Sequence, residues 1–231
     1  MPTVSVNVRS EDSSHLLVET EPTSTFDLDQ VLNPLIDRAT GDNSANPIAI
    51  ECVVRWNPAK RCLPELVIDQ DRAARLAARK SRFDLRLIRR DDPHGSEPRA
   101  IPPSIGVEFT VQGASFDPRQ LTSAIGIEPD ATSRSDPIHP KRLDTWTRGG
   151  NRVRETEFQP LLDDLLNELT PKAAQIRTFC VAHGATATFA FVAEVVNQAP
   201  HLLIGAGQFI QVAALSASIW FDPYCREQLS G

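Results

Sequence analysis

Apolar positions recur along the chain twice in the same order. With an offset of 136, Leu66, Val67 and Ile68 fall on Leu202, Leu203 and Ile204. At the same offset Ala73, Ala74, Leu76, Ala77 and Ala78 fall on Phe209, Ile210, Val212, Ala213 and Ala214, and Phe83 and Leu85 fall on Ile219 and Phe221. A proline opens each stretch, at Pro64 and Pro200, and the spacing predicts a short strand, a short helix and a second strand in both. Upstream, at an offset of 130, Leu28, Val31, Leu32, Leu35 and Ile36 match Phe158, Leu161, Leu162, Leu165 and Leu166, which predicts two helices with the same apolar stripe. At an offset of 139, Ile48, Ile50, Cys52 and Val54 match Ala187, Phe189, Phe191 and Ala193, a period-2 strand in each. Leu16 falls on Trp146 just before the helix. The polar residues between do not match, so what repeats is a buried face and no chemistry. The expected fold is α+β: two related strand-helix units from an internal duplication, with an antiparallel or mixed sheet and helices packed on it.

Residues 89–104 hold four prolines and a glycine with almost no apolar side chain, the composition of a linker. They divide the chain into a reduced unit, 1–88, and a complete unit, 105–231. In the second unit Val107, Phe109 and Val111 mark an opening strand, and Asp117, Pro118 and Gln120 carry the signature of a capping box. Thr156 with Gln159 three residues on predicts the start of the next helix, Thr170-Pro171 begins a further helical segment, and His183-Gly184 ends it. The first unit has Gly41, Asp42, Asn43, Ser44 and Asn46 where that segment would lie.

The 231 residues are enough for two such units, with 41% hydrophobic and 23% charged residues. The N-terminus alternates Val4, Val6 and Val8 with polar residues, a strand rather than a leader, and the expected location is the cytoplasm. Cys52, Cys62, Cys180 and Cys225 lack metal-site spacing and read as structural thiols. His15, His94, His183 and His201 share no ligand spacing either, so no metal and no cofactor is expected.

Two segments carry candidate chemistry. The polar loop 132–150 contains Arg134, Asp136, His139, Lys141, Arg142, Asp144, Trp146 and Arg148, and Arg148-Gly149-Gly150 offers a guanidinium and backbone amides to an anion. Asp136 and His139 form a possible acid-base pair, but neither Ser133 nor Ser135 stands in a nucleophile elbow. The net charge of −6 is unevenly laid out: Arg72, Arg75, Arg79, Lys80, Arg82, Arg86, Arg89 and Arg90 are opposed only by Asp84 within 72–90. Arg72, Arg75, Arg79 and Arg82 recur at helical spacing opposite Ala73, Leu76 and Ala77, which predicts a solvent-facing basic stripe. Gly205-Ala206-Gly207 lacks the third glycine of a dinucleotide fingerprint and reads as a tight strand-helix turn.

The second unit resembles a family through Phe116-Asp117-Pro118, Gly126-Ile127-Glu128-Pro129, Thr132, Trp146, the helix from Phe158 to Leu169, Pro171-Lys172 and the strand from Ala217 to Phe221. The family it resembles is the uncharacterised bacterial domain of unknown function 4279, and the resemblance covers roughly residues 105–224. The resemblance implies a small α/β protein and brings no activity with it. By analogy with small families encoded beside toxins, it suggests an immunity role. The expectation is therefore a non-enzymatic cytoplasmic protein that binds a protein partner, a basic toxin among the candidates, through Asp136, His139, Asp144, Trp146 and Arg148. The alternatives are a ligand-binding or enzymatic regulator using loop 132–150, and, less favoured, a nucleic-acid-associated protein using the arginine stripe 72–90. No membrane partner is expected.

Overall fold

The computed structural model describes residues 3–10, 16–19, 28–41, 47–56, 65–89, 101–135, 143–196 and 198–225. The first half contains β1 (Thr3–Ser10), β2 (Leu16–Glu19), α1 (Leu28–Gly41), β3 (Ile48–Trp56), β4 (Leu66–Ile68), α2 (Gln70–Ala78) and β5 (Arg82–Arg89). The second opens with β6 (Ser104–Gly113), α3 (Pro118–Ile125), β7 (Ala131–Ser133), β8 (Asp144–Gly149) and β9 (Val153–Arg154). It continues through α4 (Gln159–Leu169), a 3-10 turn, α5 (Ala173–His183), β10 (Thr186–Val195), β11 (His201–Ile204), α6 (Ala206–Ala214) and β12 (Ala217–Cys225). The fold is α+β with mixed sheets. No helix among the described residues is long and apolar enough to cross a membrane.

Two sheets form, and each takes a strand from the other half of the chain. The first runs β11-β5-β3-β1-β2; the second runs β4-β12-β10-β6-β8-β7, with β9 beside β6. The boundary at 89–104 thus separates the halves in sequence but not in space, and residues 90–100 lie outside the described residues.

The sequence offsets reappear in the pairing. Ile50 lies opposite Phe83 in the parallel β3/β5 pair, and Phe189 lies opposite Ile219 in the parallel β10/β12 pair. Leu202 and Ile204 of β11 face Leu85 and Phe83, while Leu66 and Ile68 of β4 face Phe221 and Ile219. Helices α2 and α6 pack against each other. After each helix one non-glycine residue turns left-handed, Lys80 at φ 50° and Ser216 at φ 51°, and these too are 136 apart. The buried residues of both halves form one hydrophobic cluster.

Local signals explain several helix ends. The carboxylate of Asp117 accepts from the Arg119 amide at 3.1 Å, Pro118 sits in the first turn, and Gly126 ends α3 left-handed at φ 70°. Gly184 ends α5 in the same way. The expected cap at Thr156 is corrected: α4 begins after Phe158, with no side-chain cap bond. There burial outweighs capping, because Phe158 is packed edge-on against Phe191 and Phe221.

Candidate functional site

In the second sheet Ile105, Val107, Phe109 and Val111 of β6 and Phe189, Phe191 and Ala193 of β10 point into the core. Alternation sends Glu108, Thr110, Gln112, Thr188 and Ala190 to the other face. There a cavity of about 560 Å³ lies open, lined from β4, β6, β10 and β12. Strand pairing arranges its floor in rows. One reads Val67, Trp220, Ala190, Glu108. The next reads Ser218, Thr188, Thr110, Thr147. Their hydroxyls pair within the row, Thr188 with Ser218 at 2.9 Å and Thr110 with Thr147 at 3.1 Å.

Trp220 and Glu108 stand on strands two apart, about 10 Å between their backbones, with the small side chain of Ala190 between them. Trp220 is partly exposed and Ala190 is buried. The result is a trough with an indole on one side and a carboxylate on the other. Among the cavity-lining residues the charged groups are Asp69 and Glu108. Asp69 is occupied as the cap of α2, accepting from the Arg72 amide at 2.8 Å and pairing with the Arg72 guanidinium. Glu108 has no ion-pair or hydrogen-bond partner among the described residues. Arg152 borders the trough, its chain running over Gly106, and donates to the Val192 carbonyl at 3.0 Å.

The corresponding place on the first sheet is closed. Leu203, Asp84 and Glu51 form the equivalent row, Asp84 standing for Trp220 and Glu51 for Ala190 at offsets of 136 and 139. Asp84 accepts from Arg86 at 3.0 and 2.7 Å and pairs with Nε2 of His201 at 2.9 Å. Burial pushes the Asp84 carboxyl up, but the hydrogen bonds from Arg86 and His201 outweigh it and hold the group below the usual carboxylate range. Arg82 lies 3.9 Å from Glu51.

The residues singled out from sequence have other roles. Asp136 and His139 lie outside the described residues. Asp144 and Trp146 are buried, which corrects their placement on an exposed partner surface. The Asp144 carboxylate accepts from the amides of Ser135 at 2.5 Å and Phe116 at 2.8 Å, tying the segments that follow β6 and β7 to the start of β8. Trp146 packs edge-on to Phe109 and donates from Nε1 to Thr122 at 3.1 Å. Arg148 is engaged by Glu168 at 2.9 Å and Asp130 at 3.0 Å, and the Gly149 amide also donates to Asp130 at 2.7 Å. The expected anion site is therefore filled by the chain's own carboxylates.

The basic stripe stays exposed at Arg75 and Arg82, but its arginines are bonded within the chain. Arg72 pairs with Asp37 at 2.7 Å and with Asp69, Arg75 pairs with Asp37, and Arg79 donates to the Ala39 carbonyl at 2.6 Å. The Arg72 hydrogen bond is the main reason the Asp37 carboxyl sits below its ordinary range. Arg82 lies on β5, beyond the helix. The stripe fastens α2 to α1.

Burial raises the Cys52 thiol strongly and the Cys180 thiol to about 11, so neither is a ready nucleophile. Ser133 hydrogen-bonds Thr145 and the Leu143 carbonyl. No cluster of three or more metal-ligating side chains occurs among the described residues.

The trough itself was missed in the sequence, although one signal pointed to it. In Ala217–Cys225, Ile219 and Phe221 take the apolar phase, and Trp220 is a large aromatic on the polar phase.

These features define an α+β protein of two mixed sheets with an open trough on one face. The family described as "Domain of unknown function (DUF4279)" matches residues 103–226, more than half the chain, and the protein belongs to that family. No curated protein and no solved structure matches the chain.

Proposed function

We propose that the protein is a non-enzymatic binding protein and that the open face of the second sheet is its recognition surface. The observation that carries this reading is the trough between Trp220 and Glu108: a partly exposed indole on the lining of an open cavity, with a carboxylate that has no partner among the described residues. Concave sites with an aromatic wall and a few convergent polar groups are where ligands gain most from desolvation. The partner in this reading is a basic protein, and neutralisation of a toxin by direct binding is the biological form we assign to it.

Co-expression with the toxic product of a neighbouring gene is expected to restore growth. Trp220→Ala is expected to reduce the rescue while the protein keeps a cooperative thermal transition. Growth that stays inhibited with the unaltered protein removes the toxin as partner. Rescue that is insensitive to Trp220→Ala removes the trough as the surface.

A further inference from the structure

The two sheets present corresponding rows, and comparing them indicates what the open one lacks. On the first sheet the acidic row is neutralised from within: Arg86 and His201 bind Asp84, and Arg82 approaches Glu51. On the second sheet the row carries a different carboxylate, Glu108, at the place of Asn7, and no cation among the described residues pairs with it, the neighbouring Arg152 donating to the Val192 carbonyl instead. Trp220 replaces Asp84 there, and Ala190 replaces Glu51, which empties the middle of the row.

We infer that the trough takes a cationic side chain, arginine or lysine, presented by a protein partner, with its aliphatic stem on Ala190 and Trp220 and its charge at Glu108. This rests on the trough being the recognition surface and adds what enters it. Three physical terms favour the occupant. An indole face attracts a cation that is partly removed from water. A carboxylate forms charge-assisted hydrogen bonds with guanidinium or ammonium. The long apolar stems of these residues cover hydrophobic floor while the charged head stays at the rim. The hydroxyl row beside the trough is already paired within itself, Thr188 with Ser218 and Thr110 with Thr147, so it asks less of a polyhydroxylated ligand.

The test needs no identified partner. Titrate the full-length protein, observed by NMR, with the blocked peptide acetyl-Gly-Arg-Gly-amide and with its citrulline counterpart, which keeps the shape and loses the charge. The expected result is a saturable shift of the Trp220 indole N–H and of the Thr110 and Thr188 amides with the arginine peptide, at least about tenfold weaker with citrulline. Glu108→Gln should abolish that discrimination, and added salt should weaken only the charged peptide. Equal binding of citrulline, or the absence of any shift at these residues with either the arginine peptide or its lysine analogue, overturns the inference. Shifts produced by a disaccharide in place of the peptide also overturn it, pointing to a small neutral ligand instead. In the growth assay, rescue lost on Trp220→Ala but retained on Glu108→Gln would keep the trough as the surface and reject the cation.

Discussion

Asp144 stands in the most polar stretch of the second half, which in the sequence marks it as a candidate for contact with a partner. Its neighbours in space give it a different task. The Ser135 amide is the main group holding its carboxyl below the usual carboxylate range, burial works against this, and the Phe116 amide adds to the lowering. A carboxyl lowered on folding stabilises the protein fully above the unfolded value of about 4, and that stabilisation disappears as pH falls through the folded value. Asp144→Asn is therefore expected to cost about 1–3 kcal/mol at pH 7, and the difference from the unaltered protein should shrink when urea titrations are repeated near pH 3. A difference independent of pH would show that packing, not charge, sets the effect. Local spacing carries no sign of this role, because the amides that bind Asp144 belong to residues 28 and 9 positions away. At the same scale, Gly149 has φ 88°, and a Cβ there would meet the Val107 carbonyl oxygen at 2.6 Å. Gly149→Ala should lower the melting temperature clearly, because backbone strain and a backbone clash act together.

Elements were the most legible level. Helix α2 and strand β5 follow from apolar spacing alone, and so do α6 and β12, since their buried sets, Ala73, Leu76 and Ala77 against Phe209 and Val212, are what the periodicity measures. The arginines of α2 were legible as a stripe but not as a bonded one. Their partners Asp37 and Ala39 sit on α1, and which helix lies beside which is a tertiary fact. Arg72→Ala should accordingly destabilise by about 1 kcal/mol or more, through loss of the link to Asp37 as well as to the α2 cap. The turns after α2 and α6 offer a second check. Lys80 and Ser216 adopt the left-handed conformation that costs a side chain roughly 1 kcal/mol. Lys80→Gly and Ser216→Gly should each be neutral or stabilising by up to about 1 kcal/mol, as read from denaturant midpoints. Clear destabilisation by both would contradict these turn conformations.

For the whole molecule, sequence order suggested two units joined by a linker, and strand pairing changes that picture. A three-residue strand such as β4 has too little apolar pattern to reveal its neighbour, so its placement beside β12, like that of β11 beside β5, became visible only in three dimensions. Cutting the chain at a protease site inserted between 90 and 100 should leave the two fragments associated on size exclusion, and residues 101–231 made alone should aggregate or unfold at lower denaturant, because the β12 edge is then uncovered. Independent, cooperative folding of 101–231 with unchanged stability would refute the interdependence. The exchange also bears on how such a chain can change over generations. Each half holds the other's missing edge, so a substitution tolerated in β12 is screened by β4, encoded some 150 codons upstream. A deletion that removed either half would leave its survivor with an open margin. Inheritance acts on the pair as one unit, which leaves the face away from the shared core, where Trp220 and Glu108 stand, as the ground on which variation is least constrained by folding.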